Sequence, residues 1–428
     1  IRSPIACAIW CQNRTNYLDR ALLSATTENG GSVAGELMMN EQKILITGAT
    51  GFIGGRLTER LILAGQRKRL RIFVRDLTRI ARIARFGDLE YVHGDILSSD
   101  RIAEAAAGCN VIFHCAYGNR GDSIYQQKVT VEGTKNVCEA ALRNNSRLVY
   151  LSTVSVYGND PPMSVDEMTP FRTSKVLYDM SKIEAEKILG EFVSKHSLNA
   201  ITLRPTIVYG PFSPVWTINP ISQLKEKHLV LIDEGRGLCN YLYVDNLVDA
   251  MLLAARTERA GAAYIISDGN PVTWREFYGY YKEMLDDQGV ENAWLSVDKV
   301  ELYRLNKQRM NLIYNLKGLI KTTISNESIN KALLPYGLIT NVKNLIKETF
   351  PPKAIKTLQY VRTSHLKESF EDQSAQIALN LPRPEDITKF SSKSVFSIQK
   401  AEKELGFTPR VDLKEGMLKI AHWHAALF

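Results

Sequence analysis

Apolar and polar positions settle into a repeating pattern from about residue 43 onward. The run Ile44-Leu45-Ile46 leads into glycines at 48, 51 and 54, and 56–64 then reads as a helix. Strands are expected over 70–74, 89–93, 111–114, 147–152 and 200–203, with helices over 101–107, 125–144 and 175–196 between them. Short apolar strands separated by helices predict an α/β fold, a doubly wound parallel sheet of Rossmann type. In such a sheet the active-site groups gather at the carboxyl ends of the strands.

Beyond Arg204 the pattern loosens. Pro205, Pro211, Pro214 and Pro220 interrupt it before a strand over 241–244, a helix over 246–256, a strand over 263–266 and a helix over 274–286. This alternation predicts a nucleotide-binding domain over 39–204 and a smaller, interleaved C-terminal substrate region over 205–428. Residues 1–38 fit neither. Their 24–35 stretch is polar and glycine-rich, no signal-like apolar core is present, and Met38 or Met39 marks the expected start of the folded unit.

Composition narrows the class. An apolar fraction of 45% and a charged fraction of 23% are ordinary for a globular protein. The six cysteines have no paired metal-ligand spacing, which argues against structural zinc and suits a reducing, cytoplasmic setting. The net charge of +8 is localised, because 299–367 holds 13 Lys/Arg against 3 Asp/Glu. The remainder is nearly neutral, which argues against a general nucleic-acid binder. Within 299–370, Leu312, Ile313, Leu316, Leu319 and Ile320 recur at helical spacing among Lys317 and Lys321. A solvated charge run on helices over the substrate cleft is the plainer reading. Peripheral contact with an anionic membrane surface is the sharper one, and the two are compatible.

Two constellations carry chemistry. Glycine permits a tight turn and close approach of a ligand, and a helix starting there points unpaired N–H groups at an anion such as a pyrophosphate. Tyr178 and Lys182 lie four apart at the start of a predicted helix and share one face. A nearby ammonium favours the phenolate of a tyrosine, so the pair can pass a proton to or from an alcohol oxygen as hydride moves the other way. Lys182 can also donate to a bound ribose. Thr153, after the fifth strand, is placed to hold the substrate oxygen, with Ser152 and Ser155 competing for that role.

These motifs resemble the extended short-chain dehydrogenase/reductases over 43–295 and again over 391–423. Gly48-Ala49-Thr50-Gly51-Phe52-Ile53-Gly54 is similar to their cofactor loop, and Gly94-Asp95-Ile96 to the turn beside adenine. Cys115-Ala116-Tyr117 corresponds to the segment passing close to the cofactor, where Ala-Ala or Ala-Ser is commoner. Val131-x-Gly133-Thr134-x-Asn136 resembles the stabilising helix motif, and Leu203-Arg204-Pro205 the segment beyond the sixth strand. The resemblance implies Thr153, Tyr178 and Lys182 as catalytic residues. It also implies cofactor contacts through Lys182 and Pro205 and the loop positions just named. No acidic residue follows Thr153, which disfavours the dehydratase branch. Arg75 stands where NAD-preferring members have Asp, and a guanidinium there pairs with a ribose 2′-phosphate. NADP is therefore the expected cofactor; NAD remains open, because Asp76 is adjacent and Arg79 and Arg82 are only candidate helpers.

The second half, with Tyr243-Val244-Asp245-Asn246 and Gly261-Ala262-Ala263-Tyr264, resembles the 3β-hydroxysteroid and sterol-carboxylate dehydrogenase branch. That implies hydride exchange with a secondary alcohol or ketone on a bulky hydrophobic substrate. The alternative is a nucleoside-diphosphate-sugar epimerase or reductase, for which Lys225, Lys227, Arg236 and Asn240 are candidate diphosphate ligands. A catalytically silent cofactor-binding protein is the third class, disfavoured by the intact trio. A homodimer is usual for such enzymes, and no metal is required.

Overall fold

The computed structural model describes residues 42–172, 174, 176–227, 229–286, 294–307 and 382–427. The expectations for 1–38 and for 308–370 lie outside these residues. In chain order, β1 (Ile44–Thr47) turns through glycines into α1 (Phe52–Leu63), followed by β2 (Leu70–Val74), the single turn α2 (Ala81–Ala84), β3 (Glu90–His93), α3 (Ser99–Ala106) and β4 (Val111–His114). Next come α4 (Ser123–Arg143), β5 (Arg147–Leu151), the two-residue β6 (Ser164–Val165), α5 (Leu177–His196), β7 (Ala200–Pro205), β8 (Ile207–Tyr209) and α6 (Asn219–Lys225). The remainder comprises β9 (Leu229–Ile232), β10 (Leu238–Cys239), β11 (Tyr241–Tyr243), α7 (Val244–Arg256), β12 (Ala263–Ile266), β13 (Val272–Thr273), α8 (Trp274–Asp286), β14 (Trp294–Val297), α9 (Pro384–Ser391), β15 (Val395–Phe396), α10 (Gln399–Leu405) and α11 (Leu413–Leu427).

Seven strands form one parallel sheet in the order β12-β7-β5-β4-β1-β2-β3. The order reverses between β1 and β4, and ligands of open α/β sheets bind in the crevice at such a switch point. Strands covered on both faces read as continuous apolar runs, and Ile44, Leu45 and Ile46 are all fully buried. Leu45, Ile112, Leu148 and Tyr150 share one core with Val137 and Ala141 of α4 and Ala185 and Leu189 of α5. The doubly wound Rossmann fold is therefore present.

The larger compact unit draws its described residues from Ile1–Ser222, Leu238–Met284 and Ser392–Phe428. The smaller takes its own from Gln223–Gly237 and Leu285–Ser391. In the smaller, β9 and β14 pair in parallel, and Ile232, Val297, Leu302 and Ile387 make a separate core. Among the described residues no helix is long and apolar enough to cross a membrane, and no acidic, His or Cys group could hold a metal.

Several element ends shift by a few residues from the sequence pattern, and two of the shifts have a visible tertiary cause. β7 runs two residues past Leu203 because Arg204, a poor candidate for a buried strand, meets a buried carboxylate there. α7 starts at Val244 rather than 246, since Asp245 and Asn246 are held by tertiary partners inside its first turn.

Candidate active site

The glycine turn is sterically determined. Gly48 has φ +74, and a Cβ there would lie 2.6 Å from the Ala116 amide nitrogen. A Cβ on Gly54 would lie 2.4 Å from the Gly48 carbonyl oxygen, and the Gly51 amide donates to that oxygen at 3.0 Å. Only a backbone without side chains folds this closely, between β1 and the chain leaving β4. α1 has Gly51 at its N-cap, with no side-chain cap and no acidic residue in its first turn. Its leading N–H groups are left for an anion, which fits a dinucleotide pyrophosphate. Thr50, Phe52 and Ile53 are half-buried on this turn.

The floor between β1 and β4 is an uncharged hydrogen-bonded chain. His114 is fully buried, with Nδ1 2.7 Å from the Thr47 hydroxyl and Nε2 3.1 Å from that of Thr134. Thr134 donates its own proton to the Thr130 carbonyl at 2.6 Å, so it accepts from Nε2–H. The imidazole is then the Nε2-protonated tautomer, with Nδ1 accepting from Thr47. Burial pulls its pKa down to about 3, with the Lys182 ammonium acting in the same sense. Burial likewise pushes the Cys115 thiol up to about 12, so it is not a nucleophile at neutral pH.

The three residues assigned to chemistry come together beyond β5. Thr153 is 8% exposed and Tyr178 is 37% exposed. Burial raises the Tyr178 phenol well above its ordinary value, the Tyr117 phenol adds to this, and the nearby Thr153 hydroxyl opposes it. The Tyr117 ring meets that of Tyr178 edge-on at 5.7 Å and lies 5.7 Å from Lys182 Nζ. Lys182, 4% exposed, donates to the Leu151 carbonyl at 2.7 Å and reaches the Tyr150 hydroxyl at 3.5 Å. Burial brings its pKa down to about 8, with Glu186 opposing.

The neighbouring serines are also distinguished. Ser152 spends its hydroxyl on Glu186, a residue the sequence analysis did not single out. Ser155 accepts from the Thr153 hydroxyl at 3.3 Å. Glu186 is itself clamped by Arg204, whose Nη2 lies 2.6 Å from it and whose Nη1 donates to Tyr157 at 2.7 Å. Helical spacing of four beyond Lys182 was the available signal for Glu186. Pro205 ends β7, buried and paired with Ile266.

In the turn after β3, Asp95 accepts from the Leu97 amide at 2.9 Å, and Asn136 holds the Ile96 carbonyl at 2.9 Å. Gly133 lets α4 approach, since a Cβ there would sit 2.8 Å from Ile96. Arg75 is exposed at the end of β2. Asp76 does not replace it: its carboxylate takes the Thr78 amide and hydroxyl at 3.0 and 2.6 Å. Arg82 is committed to Glu59 at 2.8 Å and stacks over Phe212 at 4.2 Å. Of the groups considered for a diphosphate, Asn240 is spent on the Ser394 carbonyl and the Phe396 amide. Arg236 lies 3.5 Å from Glu234.

The sequence model of the NAD dependent epimerase/dehydratase family matches residues 44–267, just over half the chain. The chain belongs to that family. The chain spans just under two thirds of the length of the first curated relatives it matches. It is 32% identical to the 2-alkyl-3-oxoalkanoate reductase of Shewanella oneidensis, with 53% of this chain and 62% of that protein covered. It is 29% identical to a 3-beta-hydroxysteroid dehydrogenase of Mycolicibacterium neoaurum, with 55% and 68% covered. The fold matches UDP-glucose 4-epimerase of Thermotoga maritima with TM-score 0.61, 17% identity, and 90% of this chain and 99% of that one covered.

Proposed function

We propose that this protein catalyses reversible hydride exchange between a nicotinamide cofactor and the carbinol carbon of a secondary alcohol or ketone. The observation that carries this is the meeting of Thr153, Tyr178 and Lys182 beside the glycine turn at the sheet's switch point. Tyr178 is the proton donor and acceptor for the substrate oxygen, which Thr153 holds. Lys182 supplies the positive charge that stabilises the phenolate and donates to a ribose. A bound nicotinamide supplies the hydride chemistry. A phenol raised above its ordinary value is neutral at neutral pH, so the resting Tyr178 is ready to protonate an alkoxide, the step that completes ketone reduction.

NADP is the favoured cofactor. Arg75 carries the positive charge at the end of β2, while the carboxylate of Asp76 is turned to its own cap. On substrate, the nucleoside-diphosphate-sugar reading has the wider support, since the matched family takes its name from epimerases and dehydratases. The lack of an acidic residue after Thr153 points within it to an epimerase or reductase. The bulky hydrophobic ketone reading has a narrower support, namely what the two sequence relatives are named for. The spent amide of Asn240 favours it as well.

The test is cofactor turnover by the purified chain with a panel of apolar 3-oxo compounds and a panel of UDP- and dTDP-sugars. Net NADPH consumption with the former supports a ketone reductase; interconversion of sugars without net redox supports an epimerase. In either case Tyr178→Phe should lower kcat by about 10²–10⁴-fold with cofactor affinity unchanged. A Y178F enzyme running at full rate would remove the proposed mechanism.

A further inference from the structure

Arg75 and Asp95 are joined through a residue that neither motif contains. Tyr125, in the first turn of α4, donates its hydroxyl proton to Asp95 Oδ2 at 2.7 Å and accepts from Arg75 Nη1 at 2.9 Å. The far side of Asp95 is closed by the Leu97 amide, and the Arg75 carbonyl meets His93 Nε2 at 3.1 Å. The Arg75 guanidinium also lies 5.7 Å from the Tyr125 ring centre. Tyr125 is itself fixed, because its amide donates to the Asp122 cap at 2.8 Å. An unbroken chain thus runs from the end of β2, through α4, to the turn after β3.

We infer that Tyr125 is a cofactor-specificity residue, one that holds the Arg75 guanidinium in place for the 2′-phosphate of NADP. This rests on the NADP reading above and deepens it. A free exposed arginine loses considerable rotamer freedom when it pairs with an anion. Tyr125 takes one guanidinium N–H and leaves the others to meet a phosphate, so part of that ordering is complete before the cofactor arrives. Asp95 matters in the same way: by accepting the phenol proton, it leaves the phenol oxygen's lone pairs facing Arg75. Without the hydroxyl, Arg75 keeps the ring contact but loses its hydrogen-bonded anchor. The effect belongs to binding, not to hydride transfer, because Tyr125 touches none of the catalytic trio among the described contacts.

The experiment is a fluorescence titration of the full chain with NADPH and NADH, for wild type, Tyr125→Phe, Arg75→Gln and the double variant. Y125F should raise Kd for NADPH about fivefold, the net worth of one ordinary hydrogen bond. Kd for NADH should stay within about twofold, with kcat and Tm unchanged. In the R75Q background the second substitution should add nothing, since the hydroxyl acts through that guanidinium. If wild type prefers NADPH but Y125F weakens both cofactors equally, or neither, the role of Tyr125 is refuted while the NADP reading stands. If wild type prefers NADH, both fall. If Y125F lowers Tm, the double-mutant coupling decides, and additive losses would overturn the inference.

Discussion

At Lys182, burial and chemistry pull in opposite directions. The proposed mechanism requires the ammonium as a cation, yet desolvation lowers its pKa to about 8. In the free enzyme the charged form therefore dominates below that value and is lost as pH rises through it. The prediction is that kcat/KM falls along a limb near pH 8. Lys182→Arg, slower but permanently charged, should lack the limb. An unchanged limb in K182R would assign it to another group. The spacing of Tyr178 and Lys182 and the glycines at 48, 51 and 54 were legible in the sequence, because each is a local pattern. Composition did not rank Thr153 over Ser152; only the resemblance did, and the carboxylate that takes up the Ser152 hydroxyl lies 34 positions away.

The element that organises the site is α5, whose successive turns present Tyr178, Lys182 and Glu186 to the carboxyl ends of β5 and β7. Lys182 fixes the Leu151 carbonyl, Glu186 fixes Ser152, and Thr153 follows directly. The Glu186–Arg204 pair is buried, with side chains 5% and 8% exposed, and ties α5 to β7. Removing one partner of such a pair leaves an uncompensated charge, so Arg204→Met or Glu186→Gln should each cost about 3–5 kcal/mol in urea unfolding. The double variant should recover much of that loss, and purely additive losses would show that the two do not act as a unit. Strand positions were readable from apolar runs. The extension of β7 was not, because an arginine reads as a surface residue until its partner on another element is known.

For the molecule as a whole, the decisive feature is how the closing segment returns to the larger unit. β15 pairs with β6, and Gly416 of α11 lies against Tyr209, where a Cβ would come 2.3 Å from the phenol oxygen. Asn246 accepts the Arg410 and Val411 amides at 3.0 Å each and donates to Asp268 at 2.8 Å. The resemblance over 391–423 was visible in the sequence, but the residues this segment would grip were not. Burial raises the Asp268 carboxyl to about 7, against the hydrogen bonds from Asn246 and the Tyr243 amide. Below the unfolded value near 3.8 the group is neutral in both states. Between that pH and about 7 the unfolded chain ionises first, so the folded state loses stability as pH rises, and the loss is complete above the folded pKa. Comparing urea midpoints at about pH 5 and about pH 8, wild type should therefore drop more than Asp268→Asn, which cannot titrate. An equal drop in D268N would mean that Asp268 is already ionised in the folded protein, and that the joint between α7 and the closing segment carries a buried charge.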